Sequence, residues 1–102
     1  MILEIADFRI PPGQQAAFEA SIQAGLQTVL SQAEGYIGSQ VQQSIESPER
    51  YVLTVQWETL EAHTVGFRGG PLFPKWREFI SPFFAAPPVV EHFRQFATLK
   101  AG

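Results

Sequence analysis

The sequence predicts an α+β domain, an antiparallel sheet with helices against one of its faces. Three observations point there: four short runs rich in β-branched and aromatic residues, two stretches of helical periodicity between them, and turn chemistry at the junctions. With 102 residues, the chain has room for one ordinary core and no second domain.

The first run, residues 2–10, carries Leu3, Ile5, Phe8 and Ile10 and stops at Pro11-Pro12-Gly13, which cannot continue a strand. Residues 14–33 then repeat Phe18, Ile22, Leu26, Val29, Leu30 and Ala33 at steps of three and four, with Gln14, Gln15, Glu19, Gln23 and Gln27 on the other side. That spacing predicts a long amphipathic helix. Gly25 falls beside its apolar stripe, where a missing side chain lets helix and sheet approach, and Gly35 is placed to stop the helix. Residues 36–44 alternate Ile37 and Val41 with small or polar neighbours, and residues 50–57 (RYVLTVQW) give the strongest strand signal; Glu46-Ser47-Pro48-Glu49 between them reads as a hairpin turn. In the second strand of this hairpin Tyr51, Leu53, Val55 and Trp57 share one face, and Val52, Thr54, Gln56 and Glu58 the other.

Thr59 is positioned to cap a second helix through Ala62, His63 and Phe67, with Glu61 in the first turn favoured by the helix dipole. Arg68-Gly69-Gly70-Pro71 interrupts it. Helical spacing resumes from Phe73 to Ile80, where Phe73, Trp76, Phe79, Ile80 and Phe83 form an aromatic ridge, and Pro82, Pro87 and Pro88 end it. Residues 89–96 (VVEHFRQF) are the last strand, and residues 97–102 a frayed tail. The β-α-β-β-α-β order is that of the ferredoxin-like fold, a four-stranded antiparallel sheet with one face uncovered. That face, with Val52, Thr54 and Gln56, is too apolar for water and too polar for a dry core. A second copy laid against it closes a dimeric α+β barrel, so a homodimer is expected.

Composition narrows the function classes. The hydrophobic fraction is 45%, the charged fraction 17% and the formal charge −3. With Lys and Arg scattered, no basic stripe exists for nucleic acid. The absence of cysteine excludes disulfides and thiolate chemistry. No run reaches the roughly 18 apolar residues of a membrane span, and no basic segment precedes an apolar one as in a signal peptide, so a cytoplasmic protein is expected. Nine Phe residues exceed what a monomer of this size easily hides, which suggests a ligand cavity or a subunit interface. There is no GxGxxG or GxSxG motif, and two distant histidines do not make a metal site. Glu58 and Glu61 flank a helix start, where the dipole explains them better than acid/base catalysis does.

The segment SPERYVLTVQWETLEAH, residues 47–63, resembles the antibiotic biosynthesis monooxygenase (ABM) domain family of dimeric α+β barrels. In that family a strand ending in Trp-Glu leads into a helix with a Ser/Thr cap and acidic residues, and the similarity in element order extends from Ile2 through Phe96. The resemblance implies a small oxygenase acting on an aromatic compound. One branch oxidises reduced polycyclic aromatics with molecular oxygen and neither metal nor flavin. Another degrades haem, with an Asn on the first strand, a Trp near the end of the third, and a His about ten residues beyond that Trp. Trp57 matches, but the first strand offers Ala6 or Asp7 and the tenth residue beyond Trp57 is Phe67, which argues against haem. No cofactor is expected.

A cofactor-free oxygenase needs an apolar pocket, a base and a cation or donor beside the developing oxyanion. His63 is the candidate base by residue type, on a helical face with Leu60 and Phe67. The competing explanation is a half-buried histidine bonded to a backbone carbonyl. Arg68 is the candidate contact for an anion, against a plain solvated arginine, and Arg68-Gly69-Gly70-Pro71 the candidate gate. Trp57, Leu60, Phe67, Phe73, Trp76, Phe79 and Phe83 are candidate pocket-lining residues, against ordinary core packing. His92, on the last strand between Glu91 and Phe93, is a weaker candidate, as likely to face the interior of the dimer barrel in a packing or network role. A dimer that binds a small apolar ligand without catalysis is the alternative function.

Overall fold

Strand parity decides which residues meet the helices. The computed structural model describes residues 1–102. Its first strand, β1 (Ile2–Arg9), buries Glu4, Ala6 and Phe8, while β3 (Arg50–Trp57) buries Tyr51, Leu53, Val55 and Trp57. With β2 (Tyr36–Gln43) and β4 (Val89–Arg94) they form one sheet in the order β2-β3-β1-β4, antiparallel throughout. This is the ferredoxin-like α+β fold. Leu3 and Ile5 share the opposite face with Gln56 and Thr54, so the apolar run of the first strand is split between the two sides. A bulge after Tyr36 breaks the alternation of β2 and leaves Ile37 exposed.

Helix α1 (Gln15–Thr28) ends five residues short of the predicted Ala33. The chain tightens into a 3₁₀ turn, Leu30–Gln32, in which Val29, Leu30 and Ala33 stay buried. Spacings of three suit both helix types, so the apolar pattern conceals the change. Gly35, at φ +84°, therefore turns the chain into β2 and does not cap α1. A Cβ there would lie 2.6 Å from the Cβ of Ala62. Gly25 serves a helix–helix contact and not the predicted helix–sheet one. A Cβ on it would meet the Cβ of Phe79 at 3.0 Å and Cζ3 of Trp76 at 3.1 Å, both from α2 (Leu72–Ile80).

Thr59 Oγ1 accepts the Ala62 N–H at 3.1 Å, as the cap prediction requires. The helix that follows is a π turn, Ala62–Phe67, closed by the Arg68 N–H donating to the His63 carbonyl at 3.0 Å. Gly69 and Gly70 lie where a Cβ would come within 2.6 Å of the Val65 carbonyl oxygen and 2.5 Å of that of Gly66, so close backbone packing accounts for both glycines. β4 stops at Arg94, two residues before the predicted end, and Phe96 and Leu99 beyond it are exposed.

The core lies between the sheet and α1. Phe18 sits among Phe8, Tyr51 and Phe83 with ring centroids 4.9 to 6.0 Å apart. The Tyr51 hydroxyl donates to Glu19 Oε2 at 2.5 Å and ties α1 to the sheet. The other face of the sheet, bearing Leu3, Gln40, Thr54 and Gln56, is uncovered in the protomer.

Candidate functional site

An acidic side chain on the buried face of a strand must find donors, because burying a bare carboxylate costs several kcal/mol. Glu4 is 6% exposed, and its neighbours across the sheet are Val55 on β3 and His92 on β4. Trp57, two residues beyond Val55 on the same face, donates its indole Nε1–H to Glu4 Oε1 at 2.9 Å. The π turn brings His63 over Trp57, with ring planes 18° apart and centroids separated by 5.1 Å. His63 Nε2 is 3.3 Å from Glu4 Oε1, and its Nδ1 is 2.7 Å from His92 Nε2. Phe67 packs against both Trp57 and His63. A π turn is a common device at functional sites, since the wider ring redirects one side chain without ending the helix.

Charge in this cluster follows from burial. Removal from water pushes His63 down to about 4, and the positive charge of Arg68 and the neighbouring His92 add to that. His92 is also lowered, by burial first and then by Arg68. Burial raises Glu4, while the Trp57 bond and the Arg68 charge partly offset the rise. At neutral pH both imidazoles are therefore uncharged. The Glu4–His63 contact, at 3.3 Å, is therefore between a carboxyl group and a neutral ring and is not an ion pair. With His92 Nε2–H donating to His63 Nδ1, the His63 Nε2–H is left facing Glu4 Oε1.

Beside His63 lies a cavity of about 400 Å³. Phe8, Phe73, Ile80, Phe84 and Val90 supply its apolar wall, and His63, Arg68 and Arg77 its polar one. A recess of about 470 Å³ on the open sheet face is lined by Leu3 and by glutamine, serine and threonine side chains with no titratable group, so it lacks the means for proton chemistry.

Among the residues singled out in the sequence, His63, Arg68 and Phe73 meet at the cavity wall. Trp57 and Phe67 lie behind His63 and hold its ring, one step removed from the hollow. Trp76 and Phe79 pack at Gly25 on α1, and Phe83 packs on Phe18, so these three belong to the core beside the cavity. Leu60 is 39% exposed. His92 faces the helices and pairs with His63. Sequence reasoning missed Glu4, Arg77, Phe8 and Phe84. A signal for Glu4 existed, because strict alternation puts it on one face with Ala6, Phe8 and Ile10.

Fold and site together define an α+β domain with a sheltered aromatic cavity against a buried, uncharged histidine. Residues 1–78 match the family model described as antibiotic biosynthesis monooxygenase, and the chain belongs to the ABM family. It is 35% identical over 94 residues to the protein YczJ of Bacillus subtilis, covering 92% of this chain and 98% of that one. A crystal structure of a candidate antibiotic biosynthesis monooxygenase from Bordetella bronchiseptica superposes with a TM-score of 0.88 at 38% identity, over 94% of this chain and 97% of the other. Two more distant structures share the fold. One is the monooxygenase from the gene ActVA-Orf6 of Streptomyces coelicolor in complex with nanaomycin D, with a TM-score of 0.84 at 20% identity over 99% and 92% of the chains. The other is a point mutant of SnoaB, a cofactor-independent oxygenase from Streptomyces nogalater, with a TM-score of 0.81 at 15% identity over 98% and 97%.

Proposed function

We propose that this chain is a cofactor-independent monooxygenase that oxidises a small or polycyclic phenol- or quinol-type aromatic with molecular oxygen. The observation that carries the proposal is the apolar cavity whose polar wall is a neutral histidine beside an unpaired guanidinium. An aromatic ring packs between Phe73 and Phe84. The substrate hydroxyl displaces His92 from His63 Nδ1 and gives up its proton there, while His63 Nε2–H keeps its bond to Glu4. The Glu4 carboxyl stabilises the imidazolium that forms, and Arg68 faces the phenolate. The electron-rich anion then reduces oxygen. For an anthrone-type substrate a methylene becomes a carbonyl, and the second oxygen atom leaves as water with the two methylene hydrogens.

The cofactor-independent oxygenase SnoaB has the same fold, which supports the absence of a cofactor in this chain. Haem is opposed by the residues themselves. Both nitrogens of His63 are engaged within the protein, and Phe67 at the position of the family's haem ligand is buried against Trp57. The half-apolar open face of the sheet supports a homodimer. A cytoplasmic location is part of the same proposal, and a chain without cysteine suits a reducing compartment.

Oxygen uptake tests the activity. With anthrone or a dihydroquinone, the protein is expected to consume one oxygen molecule per substrate faster than buffer does; no excess rate across a broad panel contradicts it. The internal engagement of both His63 nitrogens also favours a second reading, a dimer that binds an aromatic ligand without oxidising it. In that case His63→Ala leaves ligand affinity nearly unchanged and there is no turnover to lose.

A further inference from the structure

The cavity's charge suggests more about its ligand than aromaticity does. Of the seven basic residues in a chain of net charge −3, Arg9 and Arg50 are paired with Asp7 on the open face of the sheet. Arg68 and Arg77 both border the cavity, and neither has a carboxylate within ion-pair distance. They come from separate elements, Arg68 from the end of the π turn and Arg77 from the middle of α2. No acidic side chain lines the cavity. The nearest one, Glu4, lies behind His63 and is occupied by Trp57 and His63. The remaining wall is apolar, and both arginines are solvent-exposed residues of its border that no carboxylate of the protein pairs. A low-dielectric wall strengthens their field, and guanidinium groups match a carboxylate in geometry as well as in charge.

We infer that the cavity is built for an aromatic acid, a ligand whose fused or single rings pack on Phe73 and Phe84 while a carboxylate meets Arg68 and Arg77. This rests on the proposed use of the cavity and narrows its substrate class. The carboxylate is a handle, distinct from the hydroxyl that faces His63. Since the two arginines border the opening, they also draw the anion in from solvent.

The test compares two probes of nearly equal shape, anthraquinone-2-carboxylate and anthraquinone-2-carboxamide, with binding followed by calorimetry near neutral pH. The acid is expected to bind about tenfold more tightly than the amide, with the preference shrinking as sodium chloride rises from about 50 to about 500 mM. Arg68→Gln and Arg77→Gln should each weaken the acid several-fold and leave the amide alone. The double variant should erase the preference, and Lys75→Gln, on α2 but away from the cavity, should preserve it. Thermal melts of all variants check that the fold is intact. Equal affinity for acid and amide, or a preference that survives the double variant, overturns the inference while leaving the cavity's use intact. Failure of both probes to bind removes the aromatic cavity itself and the inference with it.

Discussion

The layer between sheet and helices has two halves built from the same kinds of residue with opposite results. Under α1, Phe18, Ile22 and Leu30 join Phe8, Tyr51 and Leu53 in one apolar cluster, and the hollow of about 340 Å³ beside Ile22, Leu26 and Tyr51 has no histidine or arginine in its wall. Under the π turn and α2, Trp57, Phe67 and Phe73 meet Glu4, His63 and His92, and a cavity of about 400 Å³ is left. Each half also holds a buried polar contact between helix and sheet. In the packed half it is a single bond from Tyr51 to Glu19, where burial and then the carboxylate raise the phenol far beyond neutral titration. In the hollow half it is a row of three titratable groups, all of them shifted towards the uncharged state by burial. A lone bond can only fasten; the row beside the cavity also holds a neutral histidine at its wall. The difference comes from the π turn, which commits its residues to placing one histidine instead of filling space.

The comparison can be broken most severely at Trp57, which both packs the layer and supplies a donor to Glu4. Trp57→Ala should cost about 3–5 kcal/mol of stability in denaturant melts, and a loss under about 1 kcal/mol would mean the hollow half is not held by this ring. Glu4→Ala strands the indole and imidazole donors, and about 2–4 kcal/mol is expected for two buried polar groups without a partner. Glu4→Gln keeps an acceptor and should cost less, so equal losses would argue against the assigned hydrogen bonds. Gly35→Ala forces a side chain into the left-handed region and onto Ala62, at about 1–3 kcal/mol. A neutral result there would show that the turn into β2 yields easily.

A further expected effect is on the pH dependence of stability. The folded protein holds His63 at about 4, below the unfolded value of 6.5, so the unfolded chain takes up its proton first. The contribution of His63 is full above about 6.5 and is lost as pH falls towards 4. Glu4, raised by burial, has the opposite sign and is most favourable at low pH. Melting temperature measured from about pH 7 to about pH 4 should fall more steeply for the wild type than for His63→Phe. Identical slopes would mean that His63 is not held neutral.

Much of the fold was legible because its signals are local. The RYVLTVQW alternation, the Thr59 cap and the Pro11-Pro12-Gly13 stop each work within a few residues, and the element order followed from them. What stayed hidden depends on register between distant segments. His92 reaches His63 only because β4 pairs with β1 so that Glu4 and His92 are opposite each other, and no pattern within 89–96 carries that pairing. Glu4 escaped notice because Leu3 and Ile5, on the wrong face, dominated the reading of the first strand. The π turn has no sequence period of its own over six residues, so it read as an ordinary helix. Arg77 carries no local signal of its own, because only the fold places it beside the cavity.

Nitrogen-15 NMR of the histidine rings near neutral pH, with and without an aromatic phenol such as anthrone in its enol form, tests the central claim most directly. The expected result is a neutral His63 protonated at Nε2 in the free protein, and a change at its Nδ1 when ligand binds. A positively charged His63, or ring signals untouched by a ligand that demonstrably binds, would contradict the assignment of the cavity as the site of chemistry.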